Sequence, residues 1–400
     1  MTVDEIWSYL GKKQARVTEE DPPGVGEAYT FVALGMALWQ GRRDGTCAGE
    51  PRRTVAIFAR SWCYPFMRRL LLVCGFLLFA CTTEKPAPVS APVVSSSAAA
   101  PLHQVKRVKV AEGVELEVLD FGGQGPALVF LAGLGQTGHV FDTFAPEFVA
   151  THHVYAVTRR GFGSSSWPEG GYDTATLGAD VVGVLDHLGI AKASFAGHSV
   201  AGLEMTWVAT HHPDRAEKML YLDVKIDGDL VVDLYKVLPW PTPREPDPAD
   251  LASRAAVAAA IARGVGGPFP EHEIDETTEF DPKTGRYLRD RVRPDAELSV
   301  RKGMAAVDYA AVRVPVLFLH ADEPLPVRAE DLRDFAGATP AQQDHLRAMI
   351  AKKKQRFAER DSWAKLPNWR LVKLEKAEHY VWITNREEVL REMKGFLGMR

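Results

Sequence analysis

Cysteine is scarce in this chain, and its placement says more than its number. The four residues, Cys47, Cys63, Cys74 and Cys81, all lie before residue 82 of 400. A disulfide framework or a zinc site in the long remainder is excluded on that arithmetic. Net charge is equally small, at −4, and forms no basic field; nucleic acid is not an expected partner. The apolar run Leu70–Ala80 has only 11 residues, too few to cross a bilayer as a helix. Apolar residues as a class are plentiful at 46%, enough for a large buried core and for more than one domain.

Residues 1–66 do not open like an enzyme. Asp4-Glu5-Ile6-Trp7-Ser8-Tyr9, the Lys12-Lys13 pair and Gly26-Glu27-Ala28-Tyr29-Thr30-Phe31-Val32-Ala33 resemble part of an insertion-sequence transposase, around the first acid of its Asp-Asp-Glu set. The likeness ends near residue 35, and nothing later supplies the other two acids. Residues 1–66 therefore read as an upstream remnant without stable structure of its own. At Met67 the character changes. Met67-Arg68-Arg69 is a positive start, Leu70–Ala80 is the apolar run, and Leu78-Phe79-Ala80-Cys81 resembles a bacterial lipobox. Thr82–Pro101 is an Ala/Pro/Ser/Val tract with the composition of a flexible tether. The expectation is translation from Met67, a lipid-modified Cys81, and a soluble domain tethered to a membrane of the bacterial cell envelope outside the cytoplasm.

Beyond the tether, the pattern is two strands and then alternating strands and helices. Gln104–Val110 and Val114–Phe121 alternate as a hairpin about Glu112-Gly113. Ala127–Leu131 and Val154–Thr158 are continuous apolar runs, as in strands buried on both faces. Leu177–Leu188 is an amphipathic helix, and strands follow at Lys192–Ala196, Lys218–Asp223, Val314–His320 and Trp369–Leu374, closed by a helix over Asn385–Leu397. Such alternation predicts an α/β fold with a mostly parallel sheet and helices on both faces. The stretch of about 226–312, including a helix at Leu251–Arg263, predicts a helical cap over the strand ends. Its Leu230, Leu234, Tyr235, Leu238 and Trp240 are expected to line an apolar substrate site. Residues 328–363 predict a charged, solvated outer helix.

The chemistry centres on Ala193-Ser194-Phe195-Ala196-Gly197-His198-Ser199-Val200-Ala201-Gly202. A strand runs into a tight turn and at once into a helix that Pro213 stops, with Ser199 at the tip. This is the G-x-S-x-G nucleophile elbow, with Ala201 at the last glycine position and Gly202 directly after it. A serine nucleophile needs a base that titrates near neutrality, and His379 stands just after the last strand, on the sheet edge where Ser199 lies. His198 reads as a turn residue facing away, and His211-His212 as a helix end with no third ligand for a metal. Asp120, Asp142 and Asp180 read as caps, turns or solvated faces, and Trp207 and Phe162 as core.

Residues 102–400 resemble the α/β-hydrolase superfamily. The likeness rests on Phe130-Leu131-Ala132-Gly133-Leu134-Gly135, Thr158-Arg159-Arg160-Gly161-Phe162-Gly163-Ser164-Ser165, the elbow, and Ala377-Glu378-His379-Tyr380. It implies an eight-stranded sheet, a Ser/acid/His triad, and an oxyanion hole from the backbone N–H groups of Leu134 and Val200. Relatives usually carry the acid in a Gly-x-x-Asp-Pro pattern after the seventh strand, where this chain reads His320-Ala321-Asp322-Glu323-Pro324. Glu323 is the favoured acid, Asp322 nearly its equal, and Asp223, at the end of the sixth strand, the third candidate. The implied activity is hydrolysis of a small, fairly apolar ester or amide through an acyl-enzyme, without cofactor or metal. Proline-iminopeptidase-like or cofactor-free haloperoxidase-like activity, or a non-catalytic binding role on the same fold, are the alternatives. A serine at the elbow speaks against dehalogenase and epoxide-hydrolase chemistry, whose family pattern has aspartate there.

Overall fold

In the computed structural model, Gly113 takes a left-handed φ of 69° and turns β1 (Gln104–Ala111) back onto β2 (Val114–Gly122). The structure describes residues 102–224, 246–291, 295–322 and 339–399. The upstream remnant, the lipobox with Cys81, the tether, Glu323 and the five apolar cap residues from Leu230 to Trp240 lie outside the described residues.

After the hairpin come β3 (Ala127–Leu131), β4 (His153–Val157), α1 (Thr174–His187), β5 (Ala193–His198), α2 (Ala201–His211) and β6 (Ala216–Leu222). The segment that follows carries α3 (Arg254–Val265), α4 (Glu271–Thr277), a hairpin of β7 (Thr278–Phe280) and β8 (Tyr287–Asp290), and α5 (Ala296–Gly303). β9 (Val316–Ala321), α6 (Pro340–Ser362), β10 (Trp369–Leu374), α7 (Val381–Thr384) and α8 (Arg386–Leu397) complete the order. Eight strands form one sheet in the order β1-β2-β4-β3-β5-β6-β9-β10. β2 runs antiparallel to both of its neighbours, and every pairing from β4 onward is parallel.

Strand alternation sends successive side chains to opposite faces, so each central strand feeds two cores. Val129, Leu131, Phe195, Tyr221 and Phe318 pack under Leu177 and Val181 of α1 and Met205 and Val208 of α2. Leu128, Phe130, Leu220 and Leu317 pack on the other side with Phe141, Phe144 and Phe148 and with Val389 and Met393 of α8. This is why β3 and β5 are fully buried and why their sequences show no polar alternation.

Local chemistry sets the ends. Asp173 caps α1 by accepting the Thr176 N–H, which starts that helix before the apolar stripe at Leu177. Ser253 caps α3 through the Ala256 N–H, so this helix begins after Leu251 rather than at it. Sequence periodicity had no signal for the β7–β8 hairpin, whose strands are only three and four residues long. Its turn is held by Asp281, which accepts the N–H groups of Lys283 and Thr284 at 2.9 and 2.8 Å. α6 opens on a Thr339/Gln342 capping box and buries only Leu346, Ile350 and Lys353 along its 23 residues. Among the described residues, no helix is long and apolar enough to cross a membrane.

Candidate active site

β5 ends at His198, and the next residue, Ser199, takes φ +54°. That left-handed backbone is strained for a serine and lifts its side chain clear of both strand and helix. The Ser199 N–H donates to the Leu222 carbonyl at 3.3 Å, and the Ser199 carbonyl accepts the Gly202 N–H at 3.1 Å. So sharp a turn tolerates no bulk on its inner side. A Cβ at Gly202 would collide with the Val224 side chain, and one at Gly197 with the Met205 sulfur. The methyl of Ala201 faces Gly197, which carries no Cβ to meet it.

Asp223 follows β6 and also takes a left-handed φ, +44°. Its N–H donates to the Leu319 carbonyl at 2.8 Å, which pins it to the neighbouring strand β9. Its carboxylate is then divided between two donors. Oδ1 accepts the Ala321 N–H at 2.9 Å, and Oδ2 accepts the Nδ1–H of His379 at 2.6 Å. Asp223 and His379 are both largely buried, with side-chain exposures of 10% and 12%. The structure thus brings together Ser199, Leu222-Asp223 and His379 at one end of the parallel strands. Asp322 is not part of this set: it is 45% exposed and pairs with Lys373 Nζ at 2.8 Å. The bond to Asp223 fixes the tautomer of His379 with its proton on Nδ1.

Two supports around this histidine lie outside what the motifs indicate. His198, far from facing away, is buried and lies under the loop that carries His379, the two rings 4.3 Å apart. Its Nε2–H donates to the His379 carbonyl at 3.1 Å. Gln136 donates its side-chain amide to the Tyr380 hydroxyl, tying the loop after β3 to the same segment. Neither partner could be read from the sequence; only the meeting of the two loops makes them visible.

The loop Ala132-Gly133-Leu134 is held from below by Arg159. Its guanidinium donates to the Ala132 carbonyl at 2.8 Å and the Gly133 carbonyl at 3.2 Å, and Glu204 of α2 accepts its Nε–H. In a trans peptide the C=O of Gly133 and the N–H of Leu134 point in opposite directions. Drawing the carbonyl toward Arg159 therefore turns the Leu134 N–H away from it. Val200 stands at the N-cap of α2, where backbone N–H groups have no intrahelical acceptor. Burial raises the Glu204 carboxyl pKa against the pull of Arg159, so this buried pair is costly to desolvate and depends on its geometry.

Asp120, Asp142 and Asp180 are not solvated faces. All three are buried, because each meets a cation or imidazole across the fold. Asp180 accepts from Arg160 Nε at 2.6 Å, and Asp120 pairs with Lys106 at 2.6 Å and His153 at 2.8 Å. Asp142 faces three histidines. Phe162 is buried, while Trp207 stacks on His211 with ring centroids 4.6 Å apart.

Residues 126–384 match the family model of the alpha/beta hydrolase fold. The chain is 36% identical over 121 residues to 3-oxoadipate enol-lactonase 2 of Acinetobacter baylyi, covering 30% of this chain and 45% of that protein. It is 33% identical over 123 residues to epoxide hydrolase A of Mycobacterium tuberculosis, covering 30% and 38% respectively. It is also 30% identical over 125 residues to an esterase of the same organism, covering 31% and 40%. The matched stretches thus span less than half the length of these relatives. In fold, the chain is similar to E-2-(acetamidomethylene)succinate hydrolase, at a TM-score of 0.51 and 20% identity over 74% of this chain and 99% of that one. The family model spans the sheet from just before β3 to α7, and the chain belongs to the alpha/beta hydrolase fold family.

Proposed function

We propose that this protein is a serine hydrolase that cleaves a small, fairly apolar ester, or an amide, through an acyl-enzyme. The observation that carries the reading is the hydrogen bond from His379 to Asp223 beside a serine in left-handed backbone. Ser199 Oγ attacks the substrate carbonyl carbon as its proton passes to His379 Nε2. The oxygen that becomes negative accepts the N–H groups of Leu134 and Val200. The imidazolium, stabilised by ionised Asp223, then protonates the departing alkoxide or amine. Water repeats the sequence on the acyl-serine, giving its proton to His379 and releasing the acid. No step calls for a cofactor or a metal.

Asp223 is the acid in this mechanism, since it bonds to the base and Asp322 bonds to Lys373. Serine at the elbow favours ester chemistry over the reactions named for the epoxide-hydrolase relatives. The likeness to an enol-lactonase extends the substrate class to cyclic esters. A fluorophosphonate probe tests the reading directly. The wild type should label and Ser199→Ala should not; a panel of esters of graded acyl length then ranks the substrates. A wild type that fails to label would favour the non-catalytic reading, and a Ser199→Ala protein that labels equally would place the reactive nucleophile at another residue.

A further inference from the structure

Asp142 sits at the end of the short 3₁₀ helix Gly138–Phe141 that follows β3, and three imidazoles converge on it from three parts of the chain. His103 precedes β1, His139 lies on the 3₁₀ helix itself, and His272 projects from α4. His103 Nε2 stands 3.2 Å from Asp142 Oδ1, His139 Nδ1 3.2 Å from Oδ2, and His272 Nδ1 2.8 Å from Oδ2. One ligand atom from each of the four residues falls within 4.8 Å of all the others.

From this juxtaposition we infer a binding site for a single divalent transition-metal ion, Zn²⁺ by its donor set, held by His103, His139, His272 and Asp142. Imidazole nitrogens bind zinc at about 2.0–2.1 Å and carboxylate oxygens at about 2.0–2.2 Å in a tetrahedron. The ligand-to-ligand separations around such an ion are roughly 3.3 Å. The three imidazole–carboxylate pairs lie at 2.8–3.2 Å and the four ligand atoms within 4.8 Å of one another, so the imidazoles would draw together around an ion.

Two further features point to a ligand rather than to packing. His103 is a side chain only 7% exposed, and neither of its ring nitrogens makes a hydrogen bond of proper geometry, nor does Asp142 Oδ1. Buried polar atoms left in that state are uncommon and call for an ion or a water. The other ring nitrogen of His139 faces Glu117, Nε2 to Oε1 at 3.8 Å. A carboxylate behind a ligating imidazole is the arrangement that orients metal-binding histidines. The His272 side chain is 54% exposed, which leaves an entry path to an otherwise buried site.

Four protein ligands leave no open position, so the ion would be structural. It would join the start of the sheet, the segment after β3 and helix α4 of the inserted region. Ser199, Asp223 and His379 belong to none of those ligands, and the site stands or falls apart from the proposed hydrolysis.

The test uses the full chain, stripped with a chelator and titrated with Zn²⁺ by calorimetry and with Co²⁺ by visible absorption. One ion should bind per chain, with the absorption of tetrahedral Co²⁺ and no thiolate charge-transfer band. His272→Ala changes an exposed side chain and leaves the core intact. It should weaken binding at least tenfold and abolish the rise in melting temperature that Zn²⁺ gives the wild type; His103→Ala should do the same. Replacing Cys47, Cys63, Cys74 and Cys81 by serine should leave the titration unchanged. Absence of stoichiometric binding, a thiolate band, or equal affinity in wild type and His272→Ala would overturn the site.

Discussion

Asp223 and Asp322 are both acids at strand ends, and they differ in what they touch. Asp223 bonds His379, whereas Asp322 reaches Lys373 at the surface. Asp223→Asn should lower kcat by on the order of 10⁴, because the base loses its oriented tautomer and its countercharge. Asp322→Asn should leave kcat alone and shift stability by less than about 1 kcal/mol, as for an exposed ion pair. Steady-state kinetics on the two variants decide between them, and a larger loss in Asp322→Asn would reverse the assignment. Ser199 and His379 could be proposed from the sequence because each lies in a contiguous local pattern. Asp223 stood only third among the candidate acids, since its contact with His379 depends on how β6 and β9 pair, and one sequence does not print a register. His320 supplies a pH test at the same scale. Its burial, aided by Arg360, holds its pKa below the ordinary 6.5. Below that value the unfolded chain takes up a proton that the folded one refuses, so acid costs stability until the folded imidazole itself titrates. His320→Gln should therefore lose less stability than the wild type between about pH 7.5 and 5.5, measured as urea midpoints. An equal or steeper loss would remove His320 from the account.

At the scale of elements, the loop after β4 is the joint between two halves of the site. Arg159 holds the carbonyls of Ala132 and Gly133 on one side and Glu204 of α2 on the other, and α2 begins at the elbow. The sequence marks Arg159-Arg160-Gly161-Phe162-Gly163 as part of a family pattern but does not say which carbonyls the guanidinium will meet. Those contacts join residues that are far apart in the chain. Glu204→Ala leaves a guanidinium buried without its carboxylate and should destabilise the fold by ~3–5 kcal/mol. The double replacement Arg159→Met with Glu204→Leu should recover most of that loss, since it removes both charges and keeps volume. It should nevertheless stay slow in turnover, because nothing then draws the Gly133 carbonyl and turns the Leu134 N–H. Chemical denaturation paired with kcat separates the two effects. Full activity in the double variant would mean that the loop holds its own conformation.

For the whole molecule, the alternation of apolar strands and helices was sufficient to read eight strands and a mostly parallel sheet, because burial on both faces leaves a plain compositional mark. The histidine cluster left no such mark. Positions 103, 139 and 272 carry no spacing motif, and only the fold brings them to Asp142; the cysteine arithmetic that excluded a zinc site from this region therefore holds only for thiolate ligands. Membrane attachment is the opposite case, resting on sequence alone. Among the described residues no helix is long and apolar enough to cross a bilayer, and the expectation of attachment rests on the residues around Cys81. Acyl chains add about 0.8 kcal/mol per buried CH₂, and stable anchoring takes more than one of them or a second signal. We propose that Cys81 carries that anchor. Full-length protein made in a bacterial host should incorporate labelled palmitate and partition with detergent-soluble membranes. Cys81→Ser should lose the label and move to the aqueous phase while still reacting with a fluorophosphonate at Ser199. That pairing separates anchoring from catalysis in one preparation, and a Cys81→Ser protein that stays on membranes would place the attachment elsewhere in the chain.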